Sequence, residues 1–208
     1  MSPFKDGIGV AIAEFVGRRV EPELAPHRRA AIEHARGRVL EIGAGVGFNV
    51  HHYPAEVEEI VISEPGARLL GRAERRAAEA GRPVRAVRAF AEEPPFEDDS
   101  FDTVVSTLVL CSVRDQDKSL AEIRRVLKPG GELLFMEHVR ADDPKRARWQ
   151  DRLERPWGVF AMGCHPNRAT LARIEEAGFE VEELRRGELP KSPPIVRPMI
   201  LGRAVARA

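Results

Sequence analysis

The sequence predicts an α/β fold built on a largely parallel sheet with helices on both faces. Three observations carry that expectation. Between residues 38 and 138 short apolar runs alternate with helix-like stretches, the pattern of strands joined by crossover helices. The first run, VLEI at 39–42, passes directly into a glycine turn, GAGVG at 43–47. The chain has 208 residues, 43% hydrophobic and 32% charged, enough for one sizeable core and short for two.

Two stretches precede the alternation. Residues 8–19, IGVAIAEFVGRR, are weakly amphipathic, and Ile8, Ile12, Phe15 and Val16 can share one helical face. Such a helix caps the core, closes over a site, or lies at a membrane surface, since Arg18 and Arg19 follow directly. Residues 24–36 predict a second helix ending near Gly37. Residues 1–37 then form a helical cap ahead of a single globular domain, residues 38–208.

Strands are expected at 38–42, 58–63, 84–89, 101–107 and 132–138, and helices at 47–53, 66–80 and 116–127. The apolar run at 39–42 reads as a strand buried in a parallel sheet. LKPGG at 127–131 reads as a helix end and a turn, because Pro129 and Gly130–Gly131 cannot continue a helix. After residue 140 the pattern gives way to a charged segment holding Trp149 and Trp157. A helix at 167–177 follows, with Asn167 as its N-cap. GFEVEEL (178–184) and PMILGRAVAR (198–207) are two further strands joined by a proline-rich loop.

Composition excludes several roles. Lys plus Arg and Asp plus Glu number 33 each, so net charge gives no argument for nucleic acid. Cys111 and Cys164 are the only cysteines, too few for a disulfide framework, and no pair has metal-ligand spacing. No metal is expected, and the setting is a reducing, cytoplasmic one. No apolar run reaches spanning length, and no signal peptide is apparent.

The glycine spacing separates two chemistries. A dinucleotide fingerprint, G-x-G-x-x-G, requires glycine where Phe48 stands, which disfavours a nicotinamide dehydrogenase. Glu41-x-Gly43-x-Gly45-x-Gly47 instead resembles the nucleotide-binding loop of class I S-adenosylmethionine-dependent methyltransferases. Glu64 follows 23 residues after Glu41, at the tip of the second strand, where an acid can accept from both ribose hydroxyls. AFAEEPPFEDDSFD (89–102) resembles the family's third-strand segment, with Phe90 where an acid is usual. The backbone of Ala91 and the side chain of Glu92 are the candidates for the adenine amino group.

The resemblance implies a Rossmann-like seven-stranded sheet whose last strand runs antiparallel, with S-adenosyl-L-methionine as cofactor and S-adenosyl-L-homocysteine as product. It implies cofactor contacts at Glu41, Gly43, Ala44, Gly45, Gly47, Asn49, Glu64, Pro65, Ala91, Glu92, Leu108 and Val109. Glu41 either orders the loop or meets the ligand ammonium. Leu110, Cys111 and Ser112, after the fourth strand, lie beside the transferable methyl. Cys111 also reads as an ordinary buried cysteine, which packs like a small hydrophobe. Trp149 and Arg197 are further acceptor-side candidates, with Trp157 and Phe160 lining an apolar cavity or packing in the core. Arg197 pairs with Glu137 or with a substrate anion.

A narrower resemblance concerns the acceptor. TLVLCSVRDQDKSLAEIRRVLKPGGELLFMEHV, a tryptophan-bearing segment, Gly163–Cys164 and a VRP near the C-terminus are similar to the methyltransferase-like 7 group. That group is associated with methylating alkyl and other small thiols. It also carries an N-terminal hydrophobic anchor, of which this chain has only the 8–19 stretch. A thiol of pKa about 8.5 is a few per cent thiolate at neutral pH, so deprotonation limits it only about thirtyfold. Glu137 and His138, ending the fifth strand, are the candidate bases. A small thiol is therefore the expected acceptor. A quinone-ring carbon, a phospholipid amine, and a non-catalytic cofactor-binding scaffold are the alternatives.

Overall fold

The computed structural model describes residues 3–161 and 163–207, with backbone alone at 3–13, 15, 16 and 18. Seven strands form one sheet: β1 (Gly37–Ile42), β2 (Val57–Ser63), β3 (Arg85–Val87), β4 (Phe101–Thr107), β5 (Leu127–His138), β6 (Phe179–Glu188) and β7 (Pro198–Ala206). Their order is β3-β2-β1-β4-β5-β7-β6. The first five pair in parallel, and β7 runs antiparallel to both β5 and β6. Among the described residues the helices are α1 (Pro3–Ile32), α2 (Ala67–Glu79), α3 (Gln116–Val126), α4 (Pro144–Phe160) and α5 (Thr170–Glu176).

The strands are apolar on both faces because helices cover both. Leu40, Ile42, Val104, Leu133 and Phe135 point to one face and pack with Leu120, Ile123 and Ile174 of α3 and α5. Val39, Ile62, Val105, Leu134 and Met136 point to the other and pack with Leu24 and Ile32 of α1 and Leu70 and Ala73 of α2. Burying each such Val, Leu, Ile or Phe contributes roughly 1.5–3 kcal/mol. Successive residues of one strand thus serve opposite cores, so neither register nor face can slip.

Several elements differ from expectation. One helix, α1, replaces the two expected at 8–19 and 24–36, although Pro22 and Pro26 lie inside it. Each proline removes a backbone hydrogen bond. The burial of Leu24, Arg28, Ala31 and Ile32 against the sheet holds the helix together beyond them. The side chains of Ile8, Ile12, Phe15, Val16 and Arg18 fall outside the described residues. The 47–53 helix is a single 3-10 turn, Phe48–His51. LKPGG extends β5 backwards rather than forming a free turn, with the register against β4 shifting between Phe101 and Thr103. Asn167 does not cap α5, which starts at Thr170; its side chain donates to Asp151 instead. The charged segment after residue 140 holds α4, opened by Asp143, whose carboxylate accepts from Arg146 N at 2.8 Å. Among the described residues no helix is long and apolar enough to cross a membrane.

Candidate active site

Strand order reverses between β1 and β4, and open α/β sheets bind ligands outside the carboxyl ends of the strands at such a point. The ends are level there: Ile42 pairs with Ser106, and Thr107 with Met136. The glycine turn leaves β1, Glu64 follows β2, residues 108–112 follow β4, and Glu137 and His138 end β5.

The turn needs its glycines for two reasons. Gly43 and Gly47 have φ of +57° and +80°, and side chains there would strike Val109 Cγ1 at 2.6 Å and Ala73 Cα at 2.8 Å. At Gly45 a side chain would meet nothing nearer than Gly43 O at 4.0 Å, so this face of the loop opens on the crevice. Ala44 is buried beneath, its amide donating to Ser63 O at 3.0 Å. Glu64 ties the turn to the next strand. Its carboxylate accepts from Gly45 N at 3.1 Å and from Gly66 N, just before α2, at 2.8 Å. Pro65 O takes the Arg88 guanidinium at 3.0 Å.

Behind the turn lies a buried polar network. Glu41 accepts from Asn49 Nδ2 at 3.0 Å and from Tyr53 OH at 2.7 Å. Asn49 Nδ2 also donates to Thr107 Oγ1 at 2.8 Å, and Arg28 donates to Asn49 Oδ1 at 3.1 Å and to Glu21 at 3.1 Å. Burial raises the Glu41 carboxyl to about 7, against the opposing pull of Tyr53, Arg28 and Asn49. Both Glu41 carboxylate oxygens thus accept hydrogen bonds within the network. Arg28 carries the network's cation from α1. It was missed in the sequence, although its spacing from Leu24 and Ile32 places an arginine on an otherwise apolar helical face.

The loop after β4 is braced by Glu137. Its Oε1 accepts from Ser106 Oγ at 2.7 Å, Val109 N at 3.1 Å and Leu110 N at 3.2 Å. The brace holds a turn in which Leu108 has φ of +60°, a conformation that costs a non-glycine residue about 1–2 kcal/mol. Burial raises the Glu137 carboxyl above its usual range. Glu92 has a similar duty, accepting from Arg114 N at 2.6 Å and Asp115 N at 3.3 Å at the start of α3. Ala91 is buried beside it, and the exposed Phe90 ring lies under the Arg114 guanidinium at 4.3 Å.

On the acceptor side, Cys111 is buried and Cys111 Sγ lies 3.3 Å from Ser112 Oγ. Cys164 Sγ lies 3.0 Å from His138 Nε2 and accepts from Trp157 Nε1 at 3.3 Å. The hydrogen bond with Cys111, then burial, pushes the Cys164 thiol up. Arg168, also missed in the sequence, donates to Val113 O at 2.7 Å and to Leu110 O. Its partners are more than 50 residues away, so no local signal marked it. Trp149 stands apart on the outer face of α4, 60% exposed, and Phe160 is 79% exposed. Arg197 donates to Ser192 O at 3.1 Å and 3.2 Å, while Glu137 is occupied as above. His165 pairs with Glu154.

Both the sequence and the fold are similar to those of known proteins. Residues 40–135 match the family model described as a methyltransferase domain. Thiol S-methyltransferase TMT1A of Homo sapiens is 37% identical over 173 residues, covering 80% of this chain and 70% of that protein. Phosphatidylethanolamine N-methyltransferase of Cereibacter sphaeroides is 34% identical over 173 residues, covering 81% of this chain and 82% of that protein. The fold is shared with N-methyltransferase NodS from Bradyrhizobium japonicum WM9, solved in complex with S-adenosyl-L-homocysteine. There the TM-score is 0.69 at 17% identity, covering 91% of this chain and 88% of that one.

Proposed function

Because the chain belongs to the class I S-adenosylmethionine-dependent methyltransferases, we propose that it transfers the cofactor's methyl group to a small-molecule thiol. The observation that carries the cofactor half is the cradle itself. An open glycine face at Gly45 lies directly beside a buried carboxylate, Glu64, at the tip of β2. The thiol half is supported by the 37% identity to a thiol S-methyltransferase.

When bound, the cofactor supplies a methyl group on a sulfonium, an electrophile that needs a nucleophile aligned behind it. The residues of this chain position the two partners, and positioning of this kind can supply on the order of 7–11 kcal/mol in favourable cases. Gly43, Ala44, Gly45 and Gly47 present backbone to the cofactor, with Pro65, Leu108 and Val109 around it, while Asn49, expected as a contact, is buried in the network behind the turn. Glu64 accepts from the ribose hydroxyls. Ala91 and Glu92 border the adenine. Glu41 and Arg28 stiffen the floor, and Glu137 acts as a positioning residue that holds Leu108–Leu110 in place. Leu110, Cys111 and Ser112 shape the acceptor side, with His138 as the nearest titratable ring. Residues 1–37 serve as a helical cap on the domain of residues 38–208. Two free, buried cysteines support a reducing setting, the cytoplasm.

The test is an acceptor panel read by mass spectrometry: aliphatic thiols, catechols, quinols and lipid amines, each with labelled cofactor. Thiols should accept the label. Label on lipid amines with thiols inert would favour the phospholipid alternative, which has its own support in the 34% identity to a phosphatidylethanolamine N-methyltransferase.

A further inference from the structure

Three ligand-bearing side chains from separate parts of the chain meet beside the acceptor loop. Cys111 follows β4, His138 ends β5 and Cys164 follows α4. One donor atom of each lies within 4.8 Å of the other two, and all three residues are buried. The sequence hid this cluster, because its members are brought together only by folding. Cysteine spacing alone gave no metal pattern.

One hydrogen-bond donor is already aimed at the cluster. A neutral thiol is a weak acceptor, yet the Trp157 indole N–H is aimed at Cys164 Sγ at 3.3 Å. Metal-bound thiolates take such donors. Around the cluster lie Val196, with Trp157, Ala161 and Ile195 partly buried against it, the Ser112 hydroxyl 3.3 Å from Cys111 Sγ, and the Arg168 guanidinium, whose charge both cysteines feel. Two thiolates and an imidazole select thiophilic ions, zinc foremost. Three protein donors leave the fourth tetrahedral position open, as catalytic zinc sites do and structural ones do not.

We propose that Cys111, His138 and Cys164 bind one thiophilic divalent cation of the zinc class, and that its open position takes the sulfur of the acceptor thiol. The second half rests on the thiol reading given above. Metal binding displaces the S–H protons of Cys111 and Cys164, and acceptor binding displaces its own; all pass to solvent. The metal-held acceptor thiolate attacks the sulfonium methyl. A sulfur–carbon bond forms to the acceptor, the methyl–sulfonium bond breaks, and its electron pair stays on the cofactor sulfur. The product thioether is a neutral, weak ligand and leaves. No oxidant or reductant enters.

The test uses the full chain, reduced and stripped with chelator, titrated with Co(II) and with Zn(II). One equivalent should bind, with thiolate-to-cobalt charge-transfer bands that are lost in Cys111→Ser and in Cys164→Ser. Circular dichroism and S-adenosyl-L-homocysteine affinity on the same variants separate loss of metal from loss of fold. Adding an aliphatic thiol should shift the cobalt bands, and its methyl thioether should not. Failure of the intact protein to bind either ion, or binding unchanged in both serine variants, overturns the site. If stripped protein methylates thiols at full rate, the metal's role in transfer falls while the thiol reading stands. If metal-loaded protein leaves every thiol inert, that reading falls with it.

Discussion

Glu41 shows how one carboxylate can stabilise a site at a cost that depends on pH. It is fully buried between Asn49 and Tyr53, and its carboxyl is raised to about 7. In the unfolded chain it returns to about 4.5, so the native state binds more protons between those values. The stability contributed by the protonated form is complete below about 4.5 and is lost as pH rises through about 7. Glu41→Gln stays neutral at every pH. It should match the parent near pH 4.5 and exceed it at pH 8 by on the order of 1–3 kcal/mol. Urea unfolding across that range reads the difference directly; a gap that widens toward acid would contradict the assignment. Glu64, Glu92 and Glu137 are buried carboxylates of another kind, each accepting backbone amides of the turns that form the crevice. The acids of this site hold its loops still.

Among the elements, the glycine turn carries the sharpest constraints. Its three glycines are alike in sequence but differ in surroundings. A methyl at Gly47 would lie 2.8 Å from Ala73 Cα, backbone of α2 that cannot swing aside. Gly47→Ala should therefore cost more than the roughly 1–2 kcal/mol of left-handed strain alone, and its thermal midpoint should fall below that of Gly45→Ala. Gly45→Ala bears the same strain at φ +56° but projects into open crevice, so it should lose cofactor affinity out of proportion to stability. Paired melting curves and cofactor titrations distinguish the two; equal stability losses would show that Gly47 does not pack on α2 as described. α1 illustrates a different balance. The sequence predicts two helices, 8–19 and 24–36, yet a single helix runs through Pro22 and Pro26, and its later turns bury Leu24, Arg28 and Ile32. Packing outweighs two missing backbone hydrogen bonds.

At the scale of the molecule, what could be read in advance had a local signature. VLEIGAGVG announced a buried strand and a backbone-lined cradle, and the alternation after it announced the parallel sheet. The position of Glu64, just past the tip of β2, was legible because β2 itself had a clear apolar signature. Features that depend on distant partners were not legible. Arg28 reaches Thr107, Arg168 reaches Leu110 and Val113, and Cys111, His138 and Cys164 converge from three elements. α4 escaped notice because Trp149, Val159 and Phe160 face outward, leaving no apolar period directed at a core. The account as a whole depends on the cofactor lying over the alternating glycines with its ribose held by Glu64. Calorimetric titration of S-adenosyl-L-homocysteine into the parent and into Glu64→Ala tests that most directly. One-site binding should appear in the parent and weaken about tenfold or more in the variant, as expected for losing a charged hydrogen bond of roughly 1.5–3 kcal/mol. No binding to the parent, or equal affinity in both, would contradict it.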